Sequence, residues 1–98
     1  MNGPVLEIVE FRASGDSEAL LAAARGMEPW LRAQPGFRSR RLAALDDGGY
    51  LDCVEWMDMA SAKSAADQIM TAPLTAAFLA LIDMQTVNMR HANVLLSQ

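Results

Sequence analysis

The chain has 98 residues, a formal net charge of −4 and an isoelectric point near 4.7. This length predicts one domain over residues 1–98 with a single modest core, and the acidic balance argues against nucleic acid as a partner. A single cysteine, Cys53, excludes an internal disulfide and a cysteine metal cluster, and we expect no metal. No segment has the roughly 20 apolar residues of a membrane helix, so we expect a cytoplasmic protein with no membrane partner.

The first elements are a strand and a kinked helix. Residues 4–12 are rich in strand-forming side chains and end at a polar, glycine-containing turn. Asp16 or Ser17 can cap the helix that follows. Pro29 removes a backbone donor and Gly26 lies nearby, so the helix is expected to kink or restart there.

A β-hairpin is predicted next. Residues 37–45 and 50–57 have strand composition, and the segment 46–49, DDGG, contains residues that tolerate the positive φ of a tight turn. A second helix then begins at the cap residue Asp58, with an apolar face of Met59, Ala62, Ala66 and Ile69.

The C-terminal part is predicted to hold a short helix and a closing strand. Pro73 suits the first turn of that helix, whose spacing places on one face Leu74, Phe78, Leu81 and Ile82. The segment 84–96 alternates like a strand. The arginines of the RSRR segment, on an expected edge strand, are interpreted as charges that discourage pairing between edges.

The order β-α-β-β-α-β predicts a ferredoxin-like α+β fold, with a four-stranded antiparallel sheet and helices on one face. Both sides of the first strand are largely apolar, with Val5, Glu7, Val9 and Phe11 on one side and Leu6, Ile8, Glu10 and Arg12 on the other. Because 52% of the residues are hydrophobic, the second face is expected to pack against another copy in a homodimer.

Four segments together resemble the dimeric α+β barrel superfamily, and within it the antibiotic biosynthesis monooxygenase-like small proteins: MEPWLRAQPGFRSRRL, GGYLDCVEW, the Ala-rich helix and VNMRHANVL. The resemblance implies two ferredoxin-like sheets paired face to face, with a cavity between sheet and helices in each subunit. It also implies either oxidation of a small aromatic, polyketide-like ligand with no cofactor, or haem degradation. Many small members have no established activity.

In the cofactor-free oxygenases of this family, a polar residue and a Trp four apart on the third strand face one cavity. Asp52 and Trp56 have this spacing, and strand alternation places Tyr50 on the same face. We therefore expect Asp52 and Trp56 to line a cavity, with Leu51 and Cys53 packed under the helices. Glu55, near the end of the strand, is expected to reach solvent or to pair with Arg40 or Arg41.

Further residues complete the candidate site. Glu7 lies on a strand expected beside that of Asp52, and two carboxylates in an apolar pocket would provide a general base. His91, the single histidine, is a candidate proton shuttle, and Arg90 a candidate group for binding a phenolate or carboxylate. For each there is a structural alternative: Asp52 hydrogen-bonded to the backbone or paired with an arginine, His91 hydrogen-bonded, and Arg90 at a solvent or dimer surface.

Two functions follow. In the first, the chain is a cofactor-independent monooxygenase-like enzyme with Asp52, Trp56 and His91 as catalytic residues and Glu7, Tyr50 and Arg90 as binding residues. In the second, it is a non-catalytic small-molecule-binding or stress-related dimeric domain with the same pocket. Fold does not decide between them.

Overall fold

Residues 3–98, which the computed structural model describes, confirm the predicted order and the ferredoxin-like fold. The four strands pair antiparallel in the order β2-β3-β1-β4, and the helices pack on one face of this sheet. The elements in chain order are β1 (Val5–Ala13), α1 (Ser17–Gly26), α2 (Glu28–Ala33), β2 (Phe37–Ala44), β3 (Tyr50–Trp56), α3 (Met59–Ile69), a 3-10 turn (Pro73–Thr75), α4 (Ala76–Leu81) and β4 (Ile82–Asn93). Within the described residues, no helix has the length and apolarity to cross a bilayer.

The helix starts and the break follow the sequence closely. Asp16 caps α1 by accepting a hydrogen bond from the Ala19 N–H at 2.8 Å, and Asp58 caps α3 by accepting one from Ser61 at 2.8 Å. The predicted kink is a complete break, because α1 ends at Gly26 and α2 restarts at Glu28.

The C-terminal boundaries differ from the prediction of a strand over 84–96. Ile82 belongs to β4 and not to the preceding helix, because it pairs with Ala13 after a register shift in β1. The strand ends at Asn93. In α4 only Phe78 is buried, whereas Leu74 lies in the 3-10 turn and is half exposed.

Two residues of β3 lie on the opposite face of the sheet from the one that we expected. Trp56, Val54 and Asp52 are buried under the helices, and their alternating neighbours Leu51 and Cys53 point to the open face of the sheet. The prediction that Leu51 and Cys53 pack under the helices is therefore wrong. The bulky indole belongs to the core, and an arginine neutralises the acid on the same face.

Gly36 precedes β2 in a conformation that another residue tolerates poorly. Its φ is +82°, and a Cβ built on it would lie 2.2 Å from the Ser61 Oγ. We expect Gly36→Ala to lower the free energy of unfolding by about 2–4 kcal/mol, through backbone strain and overpacking. Gly48 is the matched control, since its φ is +89° but the nearest atom to its Cβ would be Arg12 Nη1 at 3.5 Å.

Gly48→Ala should therefore cost only the strain, about 1–2 kcal/mol. Urea unfolding followed by tryptophan fluorescence measures both variants. Equal losses would show that Ser61 does not restrict position 36.

Candidate functional site

A cavity of about 290 Å³ lies between the helix-covered face of the sheet and helices α2, α3 and α4. Its wall is mainly apolar, and the side chains that form it include Met27, Leu31, Ile69, Phe78 and Leu79. Three charged side chains and two indoles interrupt this wall: Glu7, Arg40, Asp52, Trp30 and Trp56. An apolar pocket with a few convergent polar groups is the usual form of a small-molecule site.

The cavity reaches the surface along the edge strand β4. Met84, Val87 and Met89 contribute to its wall and are at the same time exposed. A ligand can therefore enter past flexible methionine side chains, which adapt to different apolar shapes.

Asp52 is held by an arginine that the sequence did not assign to it. Arg40 donates from Nε to Oδ1 at 2.9 Å and from Nη2 to Oδ2 at 2.7 Å, so the pair is bidentate. Arg40 Nη1 also donates to the Ala24 carbonyl at 3.3 Å, and its guanidinium lies 4.9 Å from the Phe78 ring centre. Both oxygens of the Asp52 carboxylate therefore accept hydrogen bonds from Arg40, which is the pairing with an arginine considered above as the structural role of Asp52. A carboxylate held in this way is poorly placed to take a proton.

Glu7 is the other carboxylate of the cavity and has a different partner. Its Oε2 lies 3.3 Å from Nε2 of His91, which is its direct neighbour across β1 and β4. Burial raises the pKa of the Glu7 carboxyl above its ordinary value of 4.5; His91 and the Trp56 N–H partly offset this rise, and the charge of Asp52 adds to it. The His91 side chain is one-quarter exposed, so the pair connects the cavity wall to solvent.

Trp56 brings an unused donor to the same place. The residue is 1% exposed, and its indole N–H lies close enough to the Glu7 carboxyl to lower the pKa of that group, but it forms no hydrogen bond of good geometry with any acceptor within residues 3–98. The ring is held in position by an edge-to-face contact with Phe37, with centroids 5.8 Å apart. Because a buried N–H without a partner is costly, this donor is suited to a ligand acceptor.

Two predicted site residues lie elsewhere. Tyr50 stacks on Phe11, and its hydroxyl is 2.9 Å from Ser17 Oγ, at the far end of β3. Arg90 is on the open face of the sheet and donates to Glu10 at 3.1 Å. The structure therefore brings together Glu7, Asp52 and Trp56, with His91 behind Glu7, and does not bring Tyr50 or Arg90 to the cavity.

The missed residue is Arg40, for which the sequence suggested a different partner. Glu55 pairs with Arg38, at 3.6 Å, and not with Arg40 or Arg41. A register shift between Phe37 and Ser39 changes which arginine reaches which acid, and no sequence pattern marks it. Arg40 shares the helix-covered face with Leu42, which pairs with Asp52, so the correct register would have revealed the contact.

The raised pKa of Glu7 predicts a pH dependence of stability. In the folded state Glu7 holds its proton to higher pH than in the unfolded chain. The contribution of this carboxyl group to the free energy of unfolding is therefore fully present below pH 4.5 and is lost as the pH rises through the pKa of the folded state. Glu7→Gln should therefore raise the free energy of unfolding near neutral pH, and this gain should vanish below 4.5. Urea unfolding across this range checks it; a gain that does not depend on pH would contradict the burial of an ionisable Glu7.

No group of three or more potential metal ligands among His, Cys, Asp and Glu occurs in residues 3–98. No protein-family model matches the sequence, and no curated protein matches it.

Solved structures with the same fold cover nearly the whole chain. A mutant form of SnoaB, a cofactor-independent oxygenase from Streptomyces nogalater, has a TM-score of 0.76 and 20% identity over 96% of this chain and 95% of its own. A candidate antibiotic biosynthesis monooxygenase from Bordetella bronchiseptica has a TM-score of 0.77 and 15% identity, with 96% and 99% covered. Another from Chloroflexus aurantiacus has a TM-score of 0.71 and 17% identity over 98% of this chain and 97% of its own. The chain thus shares the fold of the antibiotic biosynthesis monooxygenase-like proteins.

Proposed function

We propose that the protein is a cofactor-independent oxygenase for a small phenolic or polyketide-like aromatic compound. The observation that carries the proposal is the juxtaposition, in one apolar cavity, of the Glu7 carboxylate and the Trp56 N–H, a donor that forms no hydrogen bond of good geometry within residues 3–98. A base and a donor for a developing anion are what the removal of a proton from a phenol or an activated CH2 group requires. The cofactor-independent oxygenase among the structures of the same fold supports this reaction class.

In the proposed reaction Glu7 takes the proton, and His91 relays it to solvent. The Trp56 N–H donates to the oxygen on which negative charge develops. The substrate carbanion then passes electrons to dioxygen and forms a C–O bond, which after protonation gives a hydroperoxide. Loss of water converts this group to a carbonyl, so that one CH2 and one O2 yield one C=O and one H2O.

This assignment changes the roles expected from the sequence. Asp52 would hold Arg40 and shape the polar end of the cavity, whereas Glu7 would be the base, because both oxygens of Asp52 bind Arg40 while Glu7 pairs with His91, whose side chain is one-quarter exposed. The cavity volume of about 290 Å³ lies at the lower end of ligand sites, and suits about two or three fused rings.

Oxygen consumption tests the proposal against the alternative, a domain that binds the same compound without reacting. Purified protein is mixed with a phenolic anthrone in an oxygen electrode, with heat-denatured protein as the control for spontaneous oxidation. Enzyme-dependent uptake of one O2 per anthrone supports the oxygenase. Saturable binding without uptake would contradict it and favour the binding domain.

We further propose that two copies pair through the open face of the sheet. Leu6, Ile8, Leu51, Cys53 and Ala92 form an apolar strip there, and the charged pair Glu10–Arg90 lies beside it. A strip of this kind is suited to a second copy of itself, as the resemblance to dimeric α+β barrels implies.

Ile8→Lys should shift the protein from dimer to monomer, because it places a charge in the middle of this apolar strip. Size-exclusion chromatography with light scattering measures the mass. Leu74→Lys is the matched control, since Leu74 is exposed on the helical side. A monomeric wild type, or a dimer that survives Ile8→Lys, would contradict this interface.

A further inference from the structure

A second concave region lies outside the candidate site, between helices α1 and α2 and the edge strand β2. It has a volume of about 420 Å³, which is within the range of small-molecule sites. Four of the eight Lys and Arg residues of the chain line it: Arg25, Arg32, Arg38 and Arg40. We call it the arginine groove.

The arginine groove has a surplus of positive charge in a protein whose net charge is −4. One acidic side chain, Glu28, lines it, and this residue pairs with Arg32 at 2.6 Å. Arg40 is neutralised by Asp52, and Nη1 of Arg38 lies 3.6 Å from Oε2 of Glu55. Arg25 makes no ion pair within residues 3–98. Concave walls concentrate the field of such charges and attract anions.

Structural roles explain these arginines separately but not their convergence. A charge on the edge strand β2 discourages pairing between sheets, which accounts for Arg38. Arg25 and Arg32 each lie in the last turn of a helix, where a cation is favourable on any side of the helix. Neither effect requires that charges from two helices and one strand should face the same groove.

The floor of the arginine groove is apolar. Leu21, Leu31, Phe37 and Leu42 contribute to it, and Leu21 is 40% exposed. A guanidinium binds carboxylate or phosphate oxygens through two parallel hydrogen bonds, and the apolar floor would cover a hydrocarbon body. We therefore propose that the arginine groove binds an amphipathic anion, with a carboxylate or phosphate head and an apolar body. This proposal does not depend on the oxygenase activity.

Amide NMR titration of the full chain with octanoate, octyl phosphate and 1-octanol tests the proposal. We expect both anions to shift the amides of Leu21 and Phe37, and the neutral alcohol to bind at least about tenfold more weakly. The stronger of the two anions then identifies the head group. Equal binding of the alcohol, or shifts confined to cavity residues such as Met89, would overturn the proposal.

Charge reversal at Arg25 is the matching mutational test. Arg25→Glu should weaken octanoate binding about tenfold, and Arg25→Gln by a smaller factor in the same direction. Arg12→Glu makes the same charge change outside the groove and should leave the affinity unchanged. Equal effects of Arg25→Glu and Arg12→Glu would mean that net charge, and not the groove, determines binding.

Discussion

Arg40→Ala is expected to lower the free energy of unfolding by about 3–5 kcal/mol, because it leaves the largely buried Asp52 carboxylate without its partner. The two side chains of this pair are only 12% and 11% exposed. Desolvation of Asp52 is compensated by the two arms of Arg40, and alanine supplies neither charge nor donors. Urea unfolding at neutral pH measures the loss.

Two further variants separate this explanation from a general effect of losing an arginine. Arg32→Ala removes the partner of Glu28 in an exposed ion pair and should cost only about 0.5 kcal/mol. The double variant Arg40→Met, Asp52→Leu replaces the buried pair by apolar groups and should recover most of the stability. If Arg40→Ala lost less than about 1 kcal/mol, Asp52 would be solvated and the cavity would be more open than described.

Glu7→Gln is expected to lower the rate of oxygen uptake by about 10²–10⁴-fold, because the amide has nearly the same shape as the carboxylate but cannot accept the proton. The same variant should be more stable than the wild type near neutral pH, as the direction of the Glu7 pKa shift requires. Loss of activity with a gain in stability would separate a catalytic role for Glu7 from a structural one.

The matched control is Glu10→Gln, which removes the neighbouring carboxylate of β1 on the open face of the sheet. Its rate should equal that of the wild type. Trp56→Phe keeps the ring but removes the N–H, and should cost about 10²–10³-fold in rate. An active wild type with an unchanged rate in Glu7→Gln would contradict Glu7 as the base, whereas an inactive wild type would contradict the oxygenase itself.

The fold was predictable because its signals are local. Asp16 and Asp58 cap helices, the break follows from Gly26 and Pro29, and the DDGG turn sets the hairpin. The face covered by helices was not predictable, because β1 is similarly apolar on both sides. In the structure, the burial of Phe11, Val54, Trp56 and the Arg40–Asp52 pair distinguishes the two faces.

The candidate site was predicted in part. Strand alternation predicts that Asp52 and Trp56 share one face. The expected pairing of β1 with β3 places Glu7 beside them. The partners were not predictable, because Glu7–His91 and Arg40–Asp52 are contacts between strands whose register depends on bulges. The partners matter most for the chemistry, since they make Glu7 a better candidate base than Asp52.

The proposed oxygenase requires that the cavity hold a phenol with its oxygen at Glu7 and Trp56. A crystal structure of the protein soaked with 1-naphthol tests this most directly. The result that we predict is a ring inside the apolar cavity, with its hydroxyl within hydrogen-bond distance of the Trp56 indole N–H and the Glu7 carboxylate. A naphthol bound only outside the cavity, or an empty cavity in saturated crystals, would contradict it.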